Sequence, residues 1–144
     1  MPYIESIRLT NFRNYKTTAL TQLDGGFVIL TGPNGAGKTN LLEAISCLSP
    51  GRSLRGAKII DLQNLNSKDP WGVVVQLETE FGAVKIGCGK NPDNERRLTK
   101  VQGEILKSQS KLIEYLSCIW LTPQMMGCFE GGQVNGEDLL IVFF

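Results

Sequence analysis

Apolar and polar positions alternate in short runs along most of this chain, with one stretch at helical spacing. Ile4, Ser6 and Arg8 alternate loosely with Glu5, Ile7 and Leu9, which predicts a first strand. Asn11 to Tyr15 breaks it, and Thr17 to Leu23 predicts a returning strand, closed by the turn Asp24-Gly25-Gly26. Phe27-Val28-Ile29-Leu30 is a continuous apolar run, the pattern of a strand buried on both faces. A glycine-rich loop follows. From Lys38 to Leu48, Leu41, Leu42, Ile45 and Leu48 recur at the spacing of a helix, which Ser49-Pro50-Gly51 stops. Trp71–Glu78, Ala83–Cys88 and Arg97–Gln102 then predict short strands between turns, an antiparallel layer. Ser108–Leu116 predicts a short helix with Leu112, Ile113 and Leu116 inward. Cys118–Leu121 predicts a buried strand ended by Thr122-Pro123; beyond Gln124 no element is assigned.

The glycine loop carries the chemistry. Residues 32–40 read GPNGAGKTN, the spacing Gly-x4-Gly-Lys-Thr between a predicted strand and a predicted helix. Glycine lets the backbone turn its N–H groups inward, and these join the helix N-terminus as an anion nest. Gly32, Pro33, Asn34, Gly35, Ala36, Gly37, Lys38, Thr39 and Asn40 are therefore the candidate phosphate-binding residues. Lys38 is placed to meet the outer phosphates, and Thr39 offers a hydroxyl to Mg²⁺. The implied ligand is a nucleotide.

The rest of a nucleotide hydrolase is not written as plainly. Such enzymes hold Mg²⁺ with an acidic residue at the end of a buried strand. The nearest match, Ile59-Ile60-Asp61, has a run of only two apolar residues and reads as a surface element. Asn66-Ser67-Lys68-Asp69 reads as a turn, and Leu48-Ser49-Pro50-Gly51 as a helix stop.

Bulk properties narrow the setting. The 144 residues suffice for one ordinary core, and a net charge of +1 gives no global field for nucleic acid. Four cysteines without a CxxC pair, and no histidine, argue against zinc and for free thiols in a reducing cytoplasm. No apolar run is long enough to span a bilayer, so no membrane role is expected. Arg52, Arg55 and Lys58 form a basic cluster open to two readings, contact with DNA phosphates or simple solvation. Arg96, Arg97 and Lys100 stand the same way. Trp71 and Trp120 read as core.

Four stretches in order, IRLTNFRNY (7–15), GPNGAGKTNLLEAI (32–45), LSPGRSLRGAKIIDL (48–62) and IWLTPQM (119–125), resemble the N-terminal part of the RecF family of bacterial DNA replication and repair ATPases. The resemblance covers about residues 1–125. It implies a P-loop NTPase of α/β class, an incomplete N-terminal lobe of an ABC-type ATPase head with an antiparallel β layer. It implies ATP and Mg²⁺ as cofactors, single- and double-stranded DNA and recombination-mediator proteins as partners, an ATP-dependent homodimer, a cytoplasmic setting, and a role in recombinational repair and the SOS response. By motif match Arg13 lies near the nucleotide, with a solvated turn residue as the alternative. Gln124 matches the glutamine loop that senses the metal, a position that is often acidic in the family. Lys38 and Gln124 are thus the expected catalytic groups, and Thr39 and Gln124 the metal contacts. The family ATPase is slow and DNA-stimulated. Without an acidic strand end or signature loop, this chain is expected to be an inactive fragment, an inert nucleotide-binding remnant being the alternative; a small P-loop kinase fits the β-rich stretch poorly. Residues 126–144, MGCFEGGQVNGEDLLIVFF, depart from the family pattern at once. A shifted reading frame permits D-G-L-F-R-G-G-P-S-E-R-R-R-F-A-D-R-L, so an out-of-frame tail is expected, with a divergent natural C-terminus as the alternative.

Overall fold

The computed structural model describes residues 2–121 and 141–143. Its centre is a six-stranded, wholly antiparallel sheet in the order β2-β1-β3-β4-β5-β6. The strands are β1 (Tyr3–Phe12), β2 (Tyr15–Leu20), β3 (Gly72–Thr79), β4 (Gly82–Lys90), β5 (Arg97–Val101) and β6 (Glu104–Ile105). Strict alternation in β3 sends Val73, Val75 and Leu77 into the core and keeps Val74 and Gln76 on the other face. The looser pattern of β1 has a geometric cause. Its pairing with β3 shifts between Ile4 and Ser6, and this bulge lets Ile4 and Ile7, an odd number of residues apart, both bury.

One helix, α1 (Lys38–Ser46), packs on the buried face. Leu41, Ala44, Ile45 and Leu48 join Ile7, Leu9, Phe12, Val73, Val75 and Ile86 in one core. Arg97 ties the far end of α1 to the sheet: its guanidinium donates to the Cys47 carbonyl at 3.2 Å and to the Gln109 side chain. A cation at a helix C-terminus is also favoured by the helix dipole. Cys47, Cys88 and Cys118 are free thiols, as expected. Burial pushes Cys47 up strongly, Cys88 up to about 11 and Cys118 up to about 12, so they stay protonated at neutral pH.

Three expectations need correction. Phe27–Leu30 is not a strand: Phe27 is 93% and Ile29 82% exposed, and the segment pairs with no strand among the described residues. An apolar run signals a buried strand only where neighbouring strands cover it. Ser108–Leu116 does hold a short helix, the 3₁₀ segment Gln109–Glu114, with Leu112 and Leu116 buried, but its tighter turn leaves Ile113 exposed. Cys118–Leu121 does hold a strand, β7 (Ile119–Leu121), but Ile119 is exposed rather than buried. Beyond Gln124, where the sequence assigns no element, β8 (Ile141–Phe143) lies antiparallel to β7.

The uncovered Phe27-Val28-Ile29 stretch has a measurable consequence. The isolated chain is expected to self-associate, and Phe27→Lys with Ile29→Lys to restore a monomer. Sedimentation velocity checks this: a wild-type chain that stays monomeric with a cooperative, high-temperature melt contradicts it.

Candidate functional site

The loop from Gly32 to Gly37 leads directly into α1. Ala36 N–H donates to the Pro33 carbonyl at 3.2 Å, and Gly37 takes φ 103° immediately before the first helical residue. The Gly37 carbonyl accepts the first helical bond, from Leu41 N–H at 2.9 Å. Glycine is required at 37 for two reasons. That φ disfavours any L side chain, and a Cβ there would lie 2.6 Å from the Tyr15 hydroxyl and 2.7 Å from the Asn14 amide.

Pro33, Asn34, Gly35, Gly37, Lys38, Thr39, Asn40 and Arg55 line an open pocket of about 300 Å³ over the start of α1. Lys38 Nζ donates to the carbonyls of Gly32 and Pro33, which folds its charge across the loop. The helix N-terminus supplies partial positive charge, and no acidic residue occupies its first turn. The glycine loop, Lys38 and Arg55 therefore line one space at a helix N-terminus, which has the chemistry of an anion site.

Most of the predicted site residues are brought together here: Pro33, Asn34, Gly35, Gly37, Lys38, Thr39 and Asn40 all line the pocket, while Gly32 and Ala36 shape the turn behind it. Gln124 lies outside the described residues. Arg13 is not among the lining residues. Its guanidinium grips Glu43 on α1, Nε to Oε2 at 2.8 Å and Nη2 to Oε1 at 3.0 Å, and its Nη1 donates to the Asp61 carbonyl at 2.9 Å. Glu43 is fully buried while the Arg13 side chain stays 23% exposed, so this is a part-buried, forked ion pair. Removing one partner of such a pair costs about 3–5 kcal/mol.

Three contributors escaped the sequence reading. Arg55, grouped there with Arg52 and Lys58, leaves that exposed pair and enters the pocket wall. Its Nη1 donates to Asn40 Oδ1 at 3.1 Å and lies 3.5 Å from Glu43 Oε2. Asn14, in the β1–β2 turn, and Tyr15, the first residue of β2, brace the loop: Asn40 Nδ2 donates to Asn14 Oδ1 at 2.8 Å, and the Tyr15 hydroxyl donates to the Gly37 carbonyl at 3.1 Å. Burial raises the Tyr15 phenol, which keeps that donor protonated. One signal was available: Glu43 is an acid within the otherwise apolar run LLEAI, and such a charge needs a partner.

A family model, the RecF/RecN/SMC N-terminal domain, matches residues 3–112. The chain belongs to this family. Curated relatives in the RecF/RecN/SMC family include DNA replication and repair protein RecF of Rhizobium rhizogenes, 43% identical over 140 residues, and that of Rhizobium meliloti, 40% identical. Each match covers 96% of this chain, and so runs past Met125, but only 37% of the relative. The chain thus spans little more than a third of the relatives' length. Among solved structures, the recombination mediator protein RecF-ATP of the RecFOR pathway superposes with a TM-score of 0.76 at 31% identity, over 91% of this chain and 36% of that one. The SMC head domain from Thermotoga maritima superposes at 0.58 and 12% identity, over 79% of this chain and 42% of that one, which speaks to the fold alone. The RecF resemblance and the α/β, ABC-type head with its antiparallel layer are thereby upheld.

Proposed function

We propose that this chain is the ATP-binding N-terminal segment of a RecF-type DNA replication and repair protein. The observation that carries the reading is the pocket at the N-terminus of α1, lined by the glycine loop, Lys38 and Arg55. Its support is the name of the similar RecF-ATP structure and the names of the relatives. Asn34 to Thr39 would hold the phosphates, with Arg55 at the pocket wall. Thr39 fits Mg²⁺ in donor chemistry, a hard hydroxyl oxygen beside phosphate oxygens and water. Gln124 is proposed as the second metal contact, and Arg13 as a residue that serves the nucleotide from behind the loop.

Single- and double-stranded DNA, recombination mediators, an ATP-dependent second copy, the SOS response and a cytoplasmic setting belong to the proposal for the whole protein. Residues 1–125 are proposed as the head segment. The chain itself is read as retaining ATP without turning it over, because phosphoryl transfer needs a complete set of positioned charges. The kinase alternative fits poorly, since the six-stranded sheet is antiparallel throughout and the described residues hold no alternating βα units.

The test is equilibrium binding of labelled ATP, followed by hydrolysis with and without DNA. ATP retained with no turnover is the expected result. Absence of binding overturns the reading, and DNA-stimulated turnover overturns the inactivity. The out-of-frame reading of residues 126–144 has its own test, the sequence of the locus. A downstream shifted frame encoding a signature loop and an acidic strand end supports it; its absence overturns it.

A further inference from the structure

We infer that Glu43 is the positioning residue of the phosphate pocket, acting through Arg13 and the β1–β2 turn on Gly37. Glu43 sits on α1 with its carboxylate fully buried, and the pocket does not include it. A buried acid must be paired, and here both oxygens are taken by the Arg13 fork at 2.8 and 3.0 Å.

Arg13 is also the pivot of the turn. It holds φ 50°, a conformation uncommon outside glycine, and its backbone is fixed on both sides. Its N–H donates to the Leu62 carbonyl at 2.8 Å, and its carbonyl accepts from Asn64 Nδ2 at 2.7 Å. The next two residues are the ones that touch the loop. Asn14 bonds Asn40, and Tyr15 bonds the Gly37 carbonyl. The turn thus stands against the point where the loop becomes a helix, and Glu43 holds the turn. Arg55, 3.5 Å from the same carboxylate, gives Glu43 a second hold on the pocket wall.

This inference rests on the ATP reading for its main test. Glu43→Gln keeps the shape and removes the charge. It is expected to weaken ATP binding by about tenfold. Tyr15→Phe, which cuts the same route one step later, should weaken it less. The double variant should bind no worse than Glu43→Gln alone, since the two changes break one path. A merely structural Glu43 predicts effects that multiply. Multiplying effects, or unaltered binding by Glu43→Gln, overturn the inference.

Amide hydrogen exchange separates this from failure of the ATP reading. If the wild-type chain binds no ATP, Glu43→Gln must still speed exchange at residues 34–39 while leaving β3 and β4 unchanged; unchanged loop exchange overturns the inference. Should Glu43→Gln not fold, Arg13→Lys takes its place. It keeps the charge, loses the fork, and is held to the same outcomes.

Discussion

Lys38→Ala is expected to abolish measurable retention of ATP while leaving the fold intact. In this structure Lys38 lines the pocket, and its Nζ reaches across the loop to the Gly32 and Pro33 carbonyls. A nucleotide's phosphates would exchange those neutral acceptors for charged ones. Hydrogen bonds to charged groups contribute about 1.5–3 kcal/mol each, so losing one or two weakens binding by about 10- to 10⁴-fold. Stability should change little, because among the described residues Lys38 contributes neither to the hydrophobic core nor to an ion pair. Equilibrium dialysis with labelled ATP decides the matter: equal retention by variant and parent removes the site. Tm of the two proteins, measured alongside, shows whether the loss is of charge or of fold.

The sequence made parts of this arrangement legible and hid others for physical reasons. β3 was readable because a half-buried antiparallel strand writes its two faces as alternation, and Val73, Val75 and Leu77 do so cleanly. The loop was readable because a phosphate cradle fixes residue types at fixed spacing. Phe27–Leu30 misled because hydrophobicity records what a segment needs and not whether its partners stand beside it. Ile113 misled because a 3₁₀ turn repeats every three residues, so an apolar set spaced for an α-helix loses one member to solvent. The bracing of the loop had one local hint, the acid Glu43 in an apolar run, and nothing local to name its partner. Arg13 and Glu43 are separated by 30 positions in the chain, and Tyr15 and Gly37 by 22. Only the hairpin that folds β2 back on β1 brings the turn over the start of α1. Arg55 was set among its sequence neighbours Arg52 and Lys58, yet its contacts are with Asn40 and Glu43.

Trp71→Ala is expected to lower the stability of the chain by about 3–5 kcal/mol. Trp71 is the largest fully buried side chain and lies just before β3, with only 2% of its surface exposed. Its ring meets Phe12 edge to face, centroids 5.4 Å apart at 82°. Its indole N–H donates to the Ile59 carbonyl at 2.8 Å and so pins the first 3₁₀ segment, Ile59–Leu62, to the sheet. That segment holds the Asp61 and Leu62 carbonyls that receive Arg13, and Phe12 is its chain neighbour. Truncation to alanine costs about 3–5 kcal/mol for the buried ring and its cavity. Domains of this kind hold only about 5–15 kcal/mol in total. Trp71→Phe should cost less, since it keeps an aromatic ring against Phe12 and loses chiefly the bond to Ile59, about 1–3 kcal/mol if that carbonyl stays unpaired. Urea unfolding followed by far-UV circular dichroism gives both values. Alanine is expected to be the worse of the two, and a Trp71→Ala loss below about 1 kcal/mol, the size of an average substitution, would show that this corner does not hold the sheet and the site together.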